Sequence, residues 1–240
     1  MNKMLETAKS AMTQEEISRY ARFFLQPIID PSSMKTIAFE FLTRFDCKHI
    51  NVEDFFSSVS DKVAKRLLML QAEEANRLGC MNTYVFSLNV NASVLADESF
   101  IAELLDGLNT KVAFELTNTP ANDTEKKRVL KSIKMLRTLG HYIWLDDYLS
   151  EDIPESLLNL INWDLVKIDK SVLNRHLEHR DKMLDLVCDV SDFGRRYVII
   201  EGVETSHHHE KLVGYKCLHQ GFYYGDLIDC STLVNLGRNM

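Results

Sequence analysis

The stretch Tyr142–Asp147 reads Tyr-Ile-Trp-Leu-Asp-Asp, four apolar or aromatic residues running straight into two adjacent carboxylates. Such a run is too short for an ordinary helix and rich in strand formers, so it predicts a buried strand. Charges do not stay inside a strand buried on both faces, which puts Asp146 and Asp147 where it leaves the sheet. Two like charges side by side repel, and a divalent cation relieves the repulsion. An Asp-Asp pair that merely caps a following turn is the plainer alternative. The same grammar recurs along the chain, and the recurrence is what constrains the fold.

A helix is expected over about 13–24, opened by Thr13 with Glu16 three residues on as a capping box. Phe24–Asp30 and Thr36–Leu42 read as a hairpin around Pro31-Ser32-Ser33, the first strand placed at an edge because Pro27 cannot donate to a ladder. Helical spacing over Asp61–Leu78 stops at Gly79. Strands are then expected over Tyr84–Val90, Val112–Phe114, Tyr142–Asp147, Leu165–Asp169 and Tyr197–Ile200, with Lys216–Gln220 preceding the terminal segment. Between them fall helices over Glu98–Leu108, Thr124–Leu139, Ile153–Ile161, Leu173–Phe193 and His209–Val213. Strict β/α alternation implies a largely parallel sheet covered by helices, and about eight strands at this length favour a closed barrel over an open sheet. With no linker or repeat, the chain reads as one domain, 1–240, with its core at about 24–225.

A formal charge of −7 excludes a general nucleic-acid backbone binder, which needs a basic face. The five cysteines form no C-x-x-C pair and read as reduced thiols, and no stretch approaches membrane-spanning length. A cytoplasmic protein with no membrane or nucleic-acid-polymer partner is expected. His207-His208-His209 reads as a solvated loop, and Trp144 and Trp163 as core.

Glu40, Asn91, Glu115, Asp146, Asp147, Lys167, Glu201 and Gln220 each lie at or beside the C-terminal end of a strand candidate. In a (β/α) barrel those ends converge on one face, where active sites are built. Five carboxylates and an amide at one mouth suit one or two hard divalent cations with oxygen ligands, and the lack of a His or Cys cluster argues against zinc.

The order of motifs resembles the EAL-domain family, cyclic di-GMP phosphodiesterases built on a modified TIM (β/α)8 barrel with one antiparallel strand. The resemblance runs through Gln26-Pro27-Ile28, Glu40-Phe41-Leu42-Thr43-Arg44, Val90-Asn91-Ala92-Ser93, Glu115-Leu116-Thr117-Asn118 and Leu145-Asp146-Asp147-Tyr148. It continues through Val166-Lys167-Ile168-Asp169, Glu201-Gly202-Val203-Glu204-Thr205 and Gln220-Gly221-Phe222. It implies that Glu40, Asn91, Glu115 and Asp146 hold one Mg²⁺ or Mn²⁺, and that Asp146, Asp147 and Glu201 hold a second. Lys167 would position the attacking water, making Lys167, Glu40, Asp146 and Asp147 the catalytic set. Gln26, Leu42, Arg44, Asp169, Glu204 and Gln220 would form or support the substrate site.

The implied reaction is metal-dependent hydrolysis of cyclic di-GMP to linear pGpG, with Ca²⁺ inhibiting. It would lower a messenger that controls motility and biofilm formation. The other readings are a catalytically inactive EAL-like protein that binds a protein partner, such as a flagellar regulator, and a cyclic di-GMP receptor. A homodimer is a further partner the resemblance admits. Three departures stand out: Phe41 for Ala, Asn118 for the second Glu of E-L-T-E, and a glycine-free Tyr148–Pro154 where the family has a glycine-containing loop.

Overall fold

The computed structural model describes residues 14–46, 52–80, 83–148, 161–192 and 197–236. β1 (Ala21–Asp30) and β2 (Lys35–Phe45) form the expected antiparallel hairpin, paired from Ala21 opposite Phe45 to Asp30 opposite Lys35 with one register shift between Ile28 and Ile29. Strands β3 (Val85–Val90), β4 (Val112–Leu116), β5 (Tyr142–Tyr148), β6 (Leu165–Ile168), β7 (Tyr197–Ile200) and β8 (Leu218–Gln220) follow. Each is parallel to the one before, and β8 closes on β1 antiparallel. The result is the expected modified barrel, with β1 running against its neighbours. A two-residue strand, β9 (Ile228–Asp229), pairs with Phe24 and Leu25 beyond the end of β8.

Period two explains how the barrel is filled. Ile28, Ala38, Val85, Ala113, Trp144, Leu165, Ile199 and Leu218, one from each of the eight strands, form one apolar layer inside it. Two residues further toward the mouth, the same inward face carries Glu40, Ser87, Glu115, Asp146, Lys167, Glu201 and Gln220. On β1 the step is reversed, from Ile28 back to Gln26, because that strand is antiparallel. An apolar plug therefore lies directly beneath a polar layer.

Outward-facing residues pack against the helices. α3 (Asp61–Gly79) buries Leu67, Leu68, Ala72, Ala75 and Leu78, and α6 (Asp123–Thr138) buries Val129, Ile133 and Leu136. Each fully buried Leu or Ile of this layer stabilises by about 2 kcal/mol. Gly140, at φ 83, ends α6: its N–H donates to the Arg137 carbonyl (3.0 Å) and that of His141 to Leu136 (3.1 Å). The remaining helices include α1 (Gln14–Tyr20), α2 (Val52–Ser58), α4 (Ala92–Leu95) and α5 (Glu98–Gly107). After β6 come α7 (Lys170–His176) and α8 (Arg180–Asp192), then α9 (Ser206–Leu212) and α10 (Cys230–Leu236). Among the described residues no helix is long and apolar enough to cross a membrane.

Several expectations need correction. The first helix ends at Tyr20 rather than near Phe24, because Ala21–Phe24 pairs with Leu42–Phe45 and prolongs the hairpin. β1 is not an edge strand: β2 flanks it on one side, β8 and β9 on the other. Pro27 falls in the gap between the residues paired with β9 and those paired with β8, where the ladder needs no donor on that flank. The long helix expected over Leu173–Phe193 is two helices. Between Leu173 and Met183 only Leu177 is apolar, so no single buried face spans the stretch. The three consecutive histidines open α9 instead of forming a loop. Thr13, all of the helix expected over Ile153–Ile161 except Ile161, and the rebuilt stretch after Tyr148 lie outside the described residues. Trp144 and Trp163 are core, 6% and 1% exposed.

Candidate active site

The polar layer is centred on Lys167, which is 1% exposed. Its Nζ lies 3.1 Å from Glu40, 2.9 Å from Glu115, 3.0 Å from Asp146 and 2.7 Å from Glu201. One ammonium, itself almost fully buried, thus faces four carboxylates at the floor of the barrel mouth. Gln220 Nε2 donates to Glu40 (2.6 Å) and to Gln26 (3.1 Å), joining β8 to the hairpin.

Burial and mutual repulsion set the protonation of this cluster. Burial is the largest influence on Glu40, but Lys167 and hydrogen bonds from Asn89 and Gln220 outweigh it and keep that carboxyl below the ordinary range. Glu115 is pushed well above that range by burial, with Glu40 and Asp146 adding repulsion. Burial raises Asp146 as well, and takes Glu201 up to about 8 against the pull of Lys167. For Lys167 desolvation opposes the charge, and the surrounding carboxylates override it, raising the ammonium further.

The paired aspartates correct a simple expectation. Both lie within β5, and Asp146 is 8% exposed, its charge compensated by Lys167 rather than by solvent. In a regular strand their side chains would point to opposite faces. Instead Asp147 has φ 51, and the pairing of β5 with β6 slips between Leu145 and Tyr148. Asp tolerates the left-handed region better than bulky residues do. The bend turns Asp147 back to the mouth, so that Asp146, Asp147 and Glu201 offer oxygens within 4.8 Å of one another. Asp147 reaches solvent, yet desolvation by the surrounding walls, then the charge of Asp146, raises it to about 6.

Asn89 and Asn91 both line one cavity at the mouth with Glu40, Asp146 and Asp147, and of the two it is Asn89 that hydrogen-bonds to Glu40. Asn89 Nδ2 donates to Glu40 Oε1 at 3.0 Å, and its residue pairs with Glu115 across β3 and β4. Asn91 lies past the end of β3 and caps α4, its Oδ1 accepting from Val94 N–H (2.9 Å) and Ser93 Oγ (3.0 Å). Counting twos from Ser87 reaches both asparagines; only the strand's end at Val90 separates them. Asp169 likewise caps α7, accepting from Ser171 N–H at 2.8 Å. Asn118 Oδ1 accepts from Ala92 N–H at 2.7 Å, tying the loop after β4 to the start of α4.

Two cavities open onto Glu40, Asp146 and Asp147. One, of about 290 Å³, is polar and is lined by Gln26, Leu42, Arg44, Glu204 and Phe222, together with Lys170, which sequence reasoning missed. The other, of about 560 Å³, is apolar and lies between β2 and α3, with Phe41, Leu67, Leu68 and Val94 in its wall. Arg44 lines both, its described hydrogen bond being Nη1 to the adjacent Thr43 carbonyl (3.0 Å).

The donor set fits a hard divalent cation. It is all oxygen, and its carboxylates outnumber the single cation. Glu115 Oε1 is buried without a well-formed hydrogen bond, as a carboxylate oxygen awaiting an electropositive partner would be.

A sequence model of the EAL domain matches residues 10–226. The chain belongs to the EAL domain family. It is 27% identical over 212 residues to the cyclic di-GMP phosphodiesterase TpdA of Vibrio parahaemolyticus, a match covering 83% of this chain and 36% of that protein. The chain therefore spans about a third of that relative's length. Among solved structures, an EAL domain protein from Listeria monocytogenes superposes with a TM-score of 0.76 at 23% identity, covering 93% of this chain and 95% of that one. A manganese and cyclic di-GMP complex of Klebsiella pneumoniae BlrP1 gives 0.71 at 21% identity, covering 88% and 56%. At these identities the structural likeness establishes the fold.

Proposed function

We propose that this protein is a cytoplasmic metal-dependent phosphodiesterase that opens cyclic di-GMP to linear pGpG, lowering a messenger of motility and biofilm formation. The observation that carries the reading is the set of four carboxylates around Lys167, with Asp147 beside them, at the mouth of a barrel whose relatives include a cyclic di-GMP phosphodiesterase. Asp146, Asp147 and Glu201 would hold one Mg²⁺ or Mn²⁺, and Glu40, Asn89, Glu115 and Asp146 another. Bound there, such ions lower the pKa of water and offset charge on a phosphodiester.

The chain's own residues account for the rest. Arg44, at the rim shared by both cavities, would make charge-assisted hydrogen bonds to a phosphate oxygen. Gln220, itself held by Gln26, braces Glu40, and both amides line the polar cavity where the nucleotide would bind. Lys167 keeps its proton and neutralises part of the carboxylate charge while the site is being filled. Ca²⁺, larger and content with irregular coordination, should occupy the site without supporting turnover.

Replacing Glu40 or Asp146 with Ala should abolish hydrolysis and ion uptake while circular dichroism stays that of the folded barrel. A wild-type protein that binds the nucleotide in Ca²⁺ but never cleaves it in Mg²⁺ or Mn²⁺ would make it a receptor instead.

A further inference from the structure

The three consecutive histidines at the start of α9 each reach a different element. His207 Nε2 meets Glu178 at 2.8 Å, between α7 and α8. His208 Nδ1 lies 3.1 Å from the Gly202 carbonyl and 3.3 Å from Glu204 N–H, of which one tautomer serves one at a time. His209 stacks on Tyr223, with ring centroids 5.2 Å apart, and its Nδ1 lies 2.8 Å from the Tyr224 hydroxyl. The same hydroxyl lies 2.6 Å from Nδ1 of His219, which is fully buried beside Gln220.

A phenol has one proton to give, so these two contacts have a direction. The shorter is assigned as Tyr224 O–H donating to His219, and the longer as His209 Nδ1–H donating to Tyr224. His219 Nε2, turned toward the Leu212 carbonyl, closes no well-formed hydrogen bond, which leaves Tyr224 as the ring's polar anchor. Burial holds His219 down at about 4, so it stays neutral and able to accept.

This chain of bonds sits where two site-bearing turns meet. Val203 N–H donates to the Gln220 carbonyl (3.1 Å) and Tyr223 N–H to the Val203 carbonyl (3.0 Å). A Cβ on Gly221 would fall 2.2 Å from the Val203 oxygen, so the two backbones touch. We propose that Tyr224 is a positioning residue that, through His209 and His219, locks residues 220–224 onto residues 201–204 and so holds Gln220 and Glu204 at the rim of the polar cavity. The inference rests on the reading of that mouth as a cyclic di-GMP site, although the lock itself is a property of the fold.

The test is Tyr224→Phe in the full chain, followed by amide hydrogen exchange, cyclic di-GMP affinity in Ca²⁺, and kcat and KM in Mn²⁺. Exchange should rise together in peptides covering 201–204 and 220–224. Affinity and KM should weaken about tenfold while kcat changes less than about threefold, because the lock aligns the rim rather than the reacting groups. His209→Ala should reproduce this, whereas His209→Asn, whose amide nitrogen stands near the position of Nδ1, should restore wild-type values. That pair decides the matter if the phenylalanine variant does not fold. A lowered melting temperature with unchanged KM, or a rise in exchange confined to 222–224, would overturn the proposal. If the wild type neither binds nor cleaves the nucleotide, the functional reading fails, and joint exchange alone still decides whether Tyr224 locks the turns.

Discussion

Lys167→Met removes the one cation at the centre of the barrel while keeping nearly the same volume. Four carboxylates within 2.7–3.1 Å would then face one another without it, in a layer that is largely buried. Removing one partner from a buried ion pair costs about 3–5 kcal/mol. For a domain of this length each kcal/mol moves the melting temperature by roughly 2–4 °C, so a fall of roughly 10 °C is expected in EDTA. The loss should depend on pH in a definite sense. Glu115, Asp146 and Glu201 are already raised, Glu201 to about 8, and the variant raises them further. A carboxyl with a raised folded pKa contributes stability at low pH that is lost as pH rises through the folded value. The deficit should therefore be largest near pH 8 and shrink toward about pH 5. Scanning calorimetry at both pH values, with EDTA and then with Mn²⁺, measures it. Mn²⁺ should raise the melting temperature of the variant more than that of the wild type, since it replaces the missing charge. A variant within about 2 °C of wild type at pH 8 in EDTA would refute the view that the ammonium holds this cluster together.

Three further outcomes follow from the same geometry. Asn89→Ala should weaken Mn²⁺ binding by about 10–100-fold, whereas Asn91→Ala should leave it intact and cost about 1 kcal/mol of stability through the lost cap, both readable by titration and urea unfolding. Because Glu201 is raised to about 8 and Asp147 to about 6, an arriving cation must displace a proton. Its affinity should climb between about pH 6 and 8 with release of about one proton, measured calorimetrically in buffers of different ionisation heat. Asp147→Val should cost about 1–2 kcal/mol because a β-branched residue resists φ 51, while Asp147→Asn should be nearly neutral in urea unfolding.

Much of this architecture is legible in the chain because period-two alternation and strand-to-helix order are local. The polar layer is an example: a residue two steps beyond each inward apolar one is enough to collect Glu40, Glu115, Asp146, Lys167, Glu201 and Gln220 at one mouth. What the chain hides is decided by partners distant in sequence. Asn89 and Asn91 share an alternation class, and only the point where β3 stops sends one to Glu40 and the other to a helix cap. The left-handed bend at Asp147 has no glycine to announce it. Ala21–Phe24 reads as helix until Leu42–Phe45 is there to pair with it. β9 is two residues long and carries no periodic signal at all. The histidine run looks solvated because nothing near it in sequence reveals that Glu178, Gly202 and Tyr224 surround it.

The central claim is that this barrel mouth cleaves a cyclic dinucleotide with the help of divalent ions. The measurement that bears on it most directly is product analysis after purified protein is incubated with cyclic di-GMP in Mg²⁺, Mn²⁺ or EDTA. Linear pGpG should accumulate with either ion, be absent with EDTA, and be absent in the Glu40→Ala and Asp146→Ala variants. Intact cyclic di-GMP after prolonged incubation of folded, ion-loaded wild-type protein would contradict the account.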